Sequence, residues 1–203
     1  MSVTGIVLAG GKSSRMGTNK ALLEVGGKRN IERAVKVLHQ AADDVLIVTN
    51  TKEEYEFLGC PMVSDRVQGK GPLAGLEAGL AVSRFDTTIV AACDMPFLSQ
   101  HLLQYMLKQA PGFDAVVPLI EGKLHPLLAV YKKSALPTIQ QCLQQDQLRM
   151  VHVLSLLRVK YIEEKEIQKA VGKDMSAAFF NMNRPEDYET AKDIERIQKG
   201  VDA

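Results

Sequence analysis

The 203-residue sequence predicts an α/β fold, a three-layer αβα sandwich on a mostly parallel sheet. Two observations carry this expectation. Short apolar runs alternate with stretches of helical periodicity, which is how strands and covering helices follow one another in such folds. The apolar runs are continuous rather than strictly alternating, as strands buried on both faces require. Size agrees: a chain of this length buries roughly 70% of its unfolded surface, enough for one core and one domain over residues 1–203.

The elements follow in order. Gly5-Ile6-Val7-Leu8-Ala9 reads as a buried strand. Ile31, Ala34, Val35 and Leu38 fall on one helix face, and Val45-Leu46-Ile47-Val48 is a second strand. Leu73, Leu76 and Leu80 mark a short helix with small residues between them. Thr87-Thr88-Ile89-Val90-Ala91-Ala92 is a strand rich in β-branched residues, and Leu102, Leu103, Met106 and Leu107 give the next helix. Ala115-Val116-Val117-Pro118-Leu119 and Leu127-Leu128-Ala129-Val130-Tyr131 bracket a turn at Glu121-Gly122-Lys123, a hairpin or paired excursion. Leu136, Ile139 and Leu143 predict a helix, and so does the apolar stretch 150–157. Val159 to Ile162 forms a late strand, and Ala191, Ile194 and Ile197 close the chain with an amphipathic helix.

Composition excludes several function classes. With 25 Lys+Arg against 24 Asp+Glu, there is no global charge to bind nucleic acid or an anionic membrane. Cys60, Cys93 and Cys142 are scattered and form no CxxC pair, so neither a zinc knuckle nor a disulfide framework is expected. The first Lys is Lys12, which leaves no basic region for a signal peptide, and no apolar run is long enough to span a bilayer. The expectation is a soluble, cytoplasmic, monomeric protein.

Parallel sheets bind ligands beyond the carboxyl ends of their strands, so the residues after each strand matter most. The first strand runs into Gly10-Gly11-Lys12-Ser13-Ser14-Arg15-Met16-Gly17-Thr18-Asn19-Lys20, with three glycines, three cations and no acid. Glycines let backbone N–H groups approach phosphate oxygens, and Arg15 and Lys20 supply charge for a triphosphate. The loop is neither a Walker A loop, which would need Gly where Ile6 stands, nor a GxGxxG fingerprint. It reads as a polyphosphate cradle or, failing that, a basic surface turn.

Leu8-Ala9-Gly10-Gly11, Ser14-Arg15-Met16-Gly17 and Lys20 resemble the LAGGxSxRMGxxK signature of nucleotidyltransferases of the molybdenum cofactor guanylyltransferase (MobA) type. The resemblance continues through Gly71-Pro72-Leu73-Ala74-Gly75-Leu76, Cys93-Asp94-Met95-Pro96-Phe97, His125-Pro126-Leu127 and the ending Phe180-Asn181-Met182-Asn183-Arg184-Pro185-Glu186-Asp187. Many nucleotidyltransferases share the first motif; five in this order, in about 200 residues, are far more specific. The resemblance implies the nucleotide-diphospho-sugar transferase (Rossmann-like) fold. It also implies transfer of GMP from GTP to the phosphate of Mo-molybdopterin, with pyrophosphate leaving. The nucleophile is already ionised, so the absence of a Ser/His/Asp triad or paired-carboxylate signal fits the chemistry.

By resemblance, Arg15, Lys20 and Asp94 are the catalytic residues, and Asp94 is the ligand of Mg²⁺. In isolation Asp94 reads more simply as a cap of the turn before Met95-Pro96 or of the helix starting near Ser99, and it is the first loop that turns the reading toward the metal. GTP contacts are expected at Leu8, Ala9, Gly10, Gly11, Lys20, Asp65 and Asp94. An Asp65 carboxylate can accept guanine N1–H and N2–H, touch ribose, or cap a turn beside Arg66. Asn50, Gly71 and Gly75 are candidates for the nucleoside pocket, with turn or loop roles as the alternative. His125, Asn181 and Asn183 are candidates for the molybdopterin side; His125 is otherwise a turn residue, and the two asparagines are otherwise backbone caps before Pro185. Cys93 needs no role beyond a small buried apolar residue.

The chain departs from the family pattern in two places. Arg29-Asn30 stands where Pro-Leu is usual after Gly26-Gly27-Lys28, and adds a cation near the site. Arg184 replaces the Thr before Pro-Glu-Asp, removing a helix cap worth about 1 kcal/mol, which Asp187 partly offsets through the helix dipole. The rival functions are a CTP-dependent molybdopterin cytidylyltransferase, disfavoured because Gly10 leaves room for a purine, and a non-catalytic nucleotide-binding assembly protein. Contact with a protein that delivers the cofactor is expected from resemblance alone.

Overall fold

The computed structural model describes residues 2–10, 19–172, 176–198 and 200. Among them, β1 (Val3–Leu8) pairs in parallel with β4 (Asp44–Val48) on one side and with β6 (Thr87–Ala92) on the other. The short β5 (Met62–Val63) extends the sheet beyond β4. On the far side, β9 (Leu128–Lys132) runs antiparallel between β6 and β7 (Ala115–Ile120), and β10 (Val159–Glu163) lies parallel to β7 at the edge. The strand order is β10-β7-β9-β6-β1-β4-β5, so the carboxyl ends of β1, β4, β5, β6 and β7 open on one edge. Every residue of β1 is buried, which is why its apolar run is unbroken.

Successive side chains on a strand point to opposite faces, and the two faces have separate cores. Val3 and Val7 join Ile31, Leu38, Leu102, Leu103 and Ile167, from α1 (Asn30–Ala41), α3 (Gln100–Lys108) and α6 (Glu164–Val171). Ile6 and Leu8 join Leu73, Leu76, Ile139, Leu143 and Val153, from α2 (Pro72–Val82), α4 (Leu136–Gln144) and α5 (Met150–Ser155). The small residues of α2 have a packing reason: a Cβ on Gly79 would stand 2.8 Å from Ile6 Cδ1 and 3.1 Å from Val48 Cγ2. The helix backbone therefore rests directly on the sheet.

A third, smaller cluster fastens the end of the chain. Val25, Phe97, Met182 and Ala191 pack together, joining the hairpin of β2 (Glu24–Val25) and β3 (Lys28–Arg29) to α7 (Pro185–Gln198). Gly26 and Gly27 turn this hairpin with φ of 62° and 77°, the left-handed pair that a two-residue turn requires.

Two expectations are refined. The turn at Glu121-Gly122 closes β7 onto the two-residue β8 (Lys123–Leu124), and the chain then folds again so that β9 pairs with both β7 and β6. Asp187 acts at the entry of the last helix by more than its charge, because Asp187 Oδ2 accepts the Asn183 and Arg184 N–H groups, each at 2.7 Å. This is the carboxylate half of a capping box: it fixes the chain entering the helix, while the first-turn N–H groups that a Thr hydroxyl would bind keep no such acceptor in Arg184. Helix α6 was not anticipated; its sequence is polar and buries only Ile167 among its residues.

Candidate active site

The carboxyl edge of the sheet gathers most of the residues singled out in the sequence. Leu8 and Ala9 end β1, both buried, and the Ala9 N–H is held by the Val48 carbonyl at 2.9 Å. Gly10 is exposed, and a Cβ there would meet no described atom within 4 Å. Gly11 and Arg15 lie outside the described residues.

Lys20 opens a single 3₁₀ turn, Lys20–Leu22, that is anchored from several directions. Asn19 caps it by accepting the Ala21 N–H at 3.0 Å, while its own amide donates to the Tyr55 hydroxyl at 2.8 Å and to the Glu54 carboxylate. From the first residue of α1, the Asn30 amide donates to the Lys20 carbonyl at 3.0 Å. The Lys20 ammonium donates to Asn183 Oδ1 at 3.1 Å.

Asp94 follows β6 directly, and its carbonyl accepts the Met182 N–H at 3.0 Å. The segment carrying Asn181 and Asn183 is therefore laid against the Asp94 loop, and Lys20 holds its far side. Burial pushes the Asp94 carboxyl above its ordinary value, and the Lys20 ammonium draws it back down. The neighbouring Cys93 thiol is pushed up to about 12, mainly by burial. Asn181 is half-buried and makes no hydrogen bond to a described residue.

Arg33 supports this arrangement from below. Its guanidinium donates to the Pro96 carbonyl at 2.9 Å, to the Val25 carbonyl at 2.8 Å and to Glu195 Oε2 at 2.6 Å. One side chain thus ties the Asp94 loop, the β2–β3 hairpin and α7 together. Arg29, the departure expected to add a cation near the site, instead lies over the Phe57 ring, 4.6 Å from its centroid.

Beyond β4 and β5, Asn50 and Asp65 form a reciprocal pair. The Asn50 amide donates to Asp65 Oδ2 at 2.9 Å, and its oxygen accepts the Asp65 N–H at 3.0 Å. Arg66 does not pair with Asp65; it reaches the buried Glu77 at 3.4 Å. A Cβ on Gly75 would lie 3.4 Å from Leu8 Cδ2 and 3.5 Å from Asp65 Oδ1, so these three residues line one place. Gly71, at φ 65°, starts α2 beside them.

His125 stands further along the same edge, before β9. Its ring packs on Phe179 at 5.0 Å between centroids, and burial, with Lys123 nearby, lowers its pKa. Phe179 ends the 3₁₀ turn that leads into Asn181, so His125 touches the segment that covers Asp94.

A magnesium ion fits this donor set in one way. Among the described residues no three His, Cys, Asp or Glu side chains come together, so a protein cage is absent. Asp94 offers a hard oxygen in a desolvated place, and Mg²⁺ characteristically takes one or two carboxylates while keeping waters and phosphate oxygens.

Sequence reasoning missed Asn30 and Arg33 as parts of this site. One signal was present: Asn30 lies four residues before Ala34 and eight before Leu38, a polar residue in line with an apolar stripe. Among the described residues no helix is long and apolar enough to cross a membrane.

Comparison with known proteins follows the same lines. Residues 5–159 match the MobA-like NTP transferase domain. The chain is 38% identical, over 95% of its length and 93% of the relative's, to a probable molybdenum cofactor guanylyltransferase of Pelotomaculum thermopropionicum. A probable molybdenum cofactor guanylyltransferase of Carboxydothermus hydrogenoformans is 36% identical, with 93% of this chain and 94% of that one covered. Among solved structures, molybdopterin-guanine dinucleotide biosynthesis protein A of Archaeoglobus fulgidus superposes with a TM-score of 0.81 at 28% identity, covering 94% of this chain and 97% of that one.

Proposed function

The chain belongs to the family of MobA-like NTP transferase domains, and from that premise we infer that it transfers GMP from GTP to the phosphate of molybdopterin. A phosphate oxygen of the acceptor forms a bond to the α-phosphorus, the bond to the bridging β-phosphate oxygen breaks, and pyrophosphate leaves with that electron pair. Neither step needs a strong base, so the protein's contribution is positioning and charge. The observation that carries this reading is the convergence of Lys20, Asp94 and Asn183 at the carboxyl ends of β1 and β6.

Each residue has a physical task. Lys20 neutralises charge on the triphosphate and on the departing pyrophosphate, and Asn183 orients its ammonium. Asp65 accepts guanine N1–H and N2–H with the carboxylate capacity that Asn50 leaves free, and Asn50 fixes its rotamer. Gly75 lets the α2 backbone pack close against Leu8 and Asp65, which places the Asp65 carboxylate at the start of α2 for the nucleoside. Asp94 would hold a divalent cation, Mg²⁺ in this reading, which supplies Lewis-acid charge to phosphate oxygens when bound. His125 and Asn181 face the acceptor side.

The test is pyrophosphate release from GTP, CTP, ATP and UTP with Mo-loaded molybdopterin, with and without Mg²⁺. Magnesium-dependent release from GTP alone, lost in Asp94→Ala, is the expected result. Release from CTP in place of GTP would overturn the base assignment while keeping the mechanism.

A further inference from the structure

We propose that strand β10, the outer edge of the sheet, is a self-association surface at which two copies of this chain pair antiparallel about Tyr161, in place of the monomer expected from the sequence. The inference does not depend on the guanylyl-transfer reading. β10 ends the strand order, so one side of it meets no other strand among the described residues. The opposite edge is β5, only two residues long, and so short a strand offers little to a further one. β10 is five residues long and contains no proline. A lysine on an edge strand commonly blocks further pairing, but Lys160 is engaged by Glu166 of α6 at 3.3 Å.

Two observations identify the partner as a second copy. The first is charge. Along β10 and its flanks the charges run from basic to acidic: Arg158 and Lys160 precede Tyr161, and Glu163 and Glu164 follow it. A parallel, in-register pairing of two such strands would set like charges together. An antiparallel pairing centred on Tyr161 sets Arg158 against Glu164 of the partner subunit and Val159 against Glu163 of the partner subunit, and its twofold axis closes the assembly at two chains. The Arg158 guanidinium gives Nε and Nη2 to Asp114, yet its side chain is 72% exposed, so it has donors left for a second carboxylate. The second observation is apolar exposure. Of the seven large hydrophobic residues exposed among the described residues, Val151, Leu156 and Tyr161 fall together on α5, its exit and β10. Tyr161 stands at the axis, where its ring meets its own copy. β7 and β9 lie between β10 and β6, so the pairing does not cover the residues that follow β1, β4 and β6.

Sedimentation equilibrium of the full chain tests this, with far-UV circular dichroism as the control for folding. The wild type is expected at twice the mass of one chain at tens of micromolar, and to dissociate as salt is raised, because charge pairs contribute to the contact. Tyr161→Glu sets two carboxylates at the axis, and Glu164→Lys sets a like charge against Arg158 of the partner subunit. Each is expected to raise the dissociation constant about tenfold or more with the circular dichroism spectrum unchanged. In a Cys60→Ser background, Tyr161→Cys is expected to give a disulfide-linked dimer under mild oxidation, since opposed residues of antiparallel strands stand about 5 Å apart, within disulfide reach. A wild type that stays at the mass of one chain at hundreds of micromolar overturns the proposal. So does a dimer whose dissociation constant is unchanged in both Tyr161→Glu and Glu164→Lys, which would place the contact elsewhere.

Discussion

The Lys20 ammonium donates to Asn183 Oδ1 at 3.1 Å across a sequence separation of 163 residues. Asn183 lies beyond residues 5–159, where the family domain is matched, so the contact ties the end of the chain to a residue of that domain. Asn183→Ala is expected to lower kcat for pyrophosphate release about tenfold, with little change in Tm because the contact is exposed. Lys20→Ala should cost more, about a hundredfold, since it removes the charge itself rather than its orientation. Equal, wild-type rates in Asn183→Ala would mean that the contact has no bearing on turnover.

Asn50 and Asp65 should separate binding from chemistry. Asn50→Ala frees the Asp65 carboxylate to rotate and leaves the Asp65 N–H to water. The pair is exposed, so stability should change by no more than about 0.5 kcal/mol. KM for GTP should rise about tenfold with kcat nearly unchanged, the signature of lost ground-state binding. Asp65→Asn should narrow the preference for GTP over CTP, read from the ratio of their kcat/KM values.

Asp94 illustrates a conflict between function and stability. Burial raises its pKa, so the folded protein holds the charged form of this group less favourably than water would. Asp94→Asn keeps the shape and removes that charge. Without metal its Tm should equal or exceed that of the wild type, while turnover falls about a hundredfold or more. Adding Mg²⁺ with GTP should raise Tm in the wild type and not in the variant, by differential scanning fluorimetry.

Asp114 gives the fold a defined acid limit. The Arg158 guanidinium, with the Ser134 hydroxyl, holds its carboxyl well below the usual carboxylate range. A depressed folded-state pKa means stability that is fully present above the unfolded value, about 3.9, and lost as pH falls through the folded value. Asp114→Asn should therefore have a lower Tm near neutral pH and a flatter profile below about pH 4 than the wild type. Parallel profiles would show that this carboxylate does not set the acid limit.

Arg33 and Glu195 join α1 to α7 with both side chains largely buried, at 19% and 10% exposure. Arg33→Met leaves a buried carboxylate without its partner and should lower stability by about 3 kcal/mol in denaturant unfolding. The double variant Arg33→Met, Glu195→Leu should recover most of that loss. A single variant as stable as the wild type would mean that the other contacts of Glu195 make up for the loss of Arg33.

Much of the fold was legible because local pattern and tertiary burial agree. The β-branched run Thr87–Ala92 is observed as a strand with those bounds, and Ile31, Ala34, Val35 and Leu38 are all buried on α1. The elements that escaped have little apolar signal of their own: α6 buries Ile167 alone, and β2, β3 and β8 are two residues each. At the site, Asp94 and Lys20 were singled out by the resemblance together with their place after the buried strands β6 and β1, and the structure brings both to the carboxyl edge. Asp187 was recognised as helpful to the last helix, but its bonds to the Asn183 and Arg184 N–H groups required the three-dimensional trace.

The sequence by itself determined the layered α/β architecture, the basic, glycine-rich composition of the first loop and the candidate residues after each strand, because strand burial and loop chemistry are local properties of short segments. The tertiary structure decided which of those residues work together. Lys20 meets Asn183, Asn50 meets Asp65, and Arg33 braces Pro96, Val25 and Glu195. Apart from Arg33–Val25, these contacts join segments fifteen or more residues apart, and a hydrogen bond within about 3 Å depends on how helices and loops pack, which no spacing in a single strand or helix specifies.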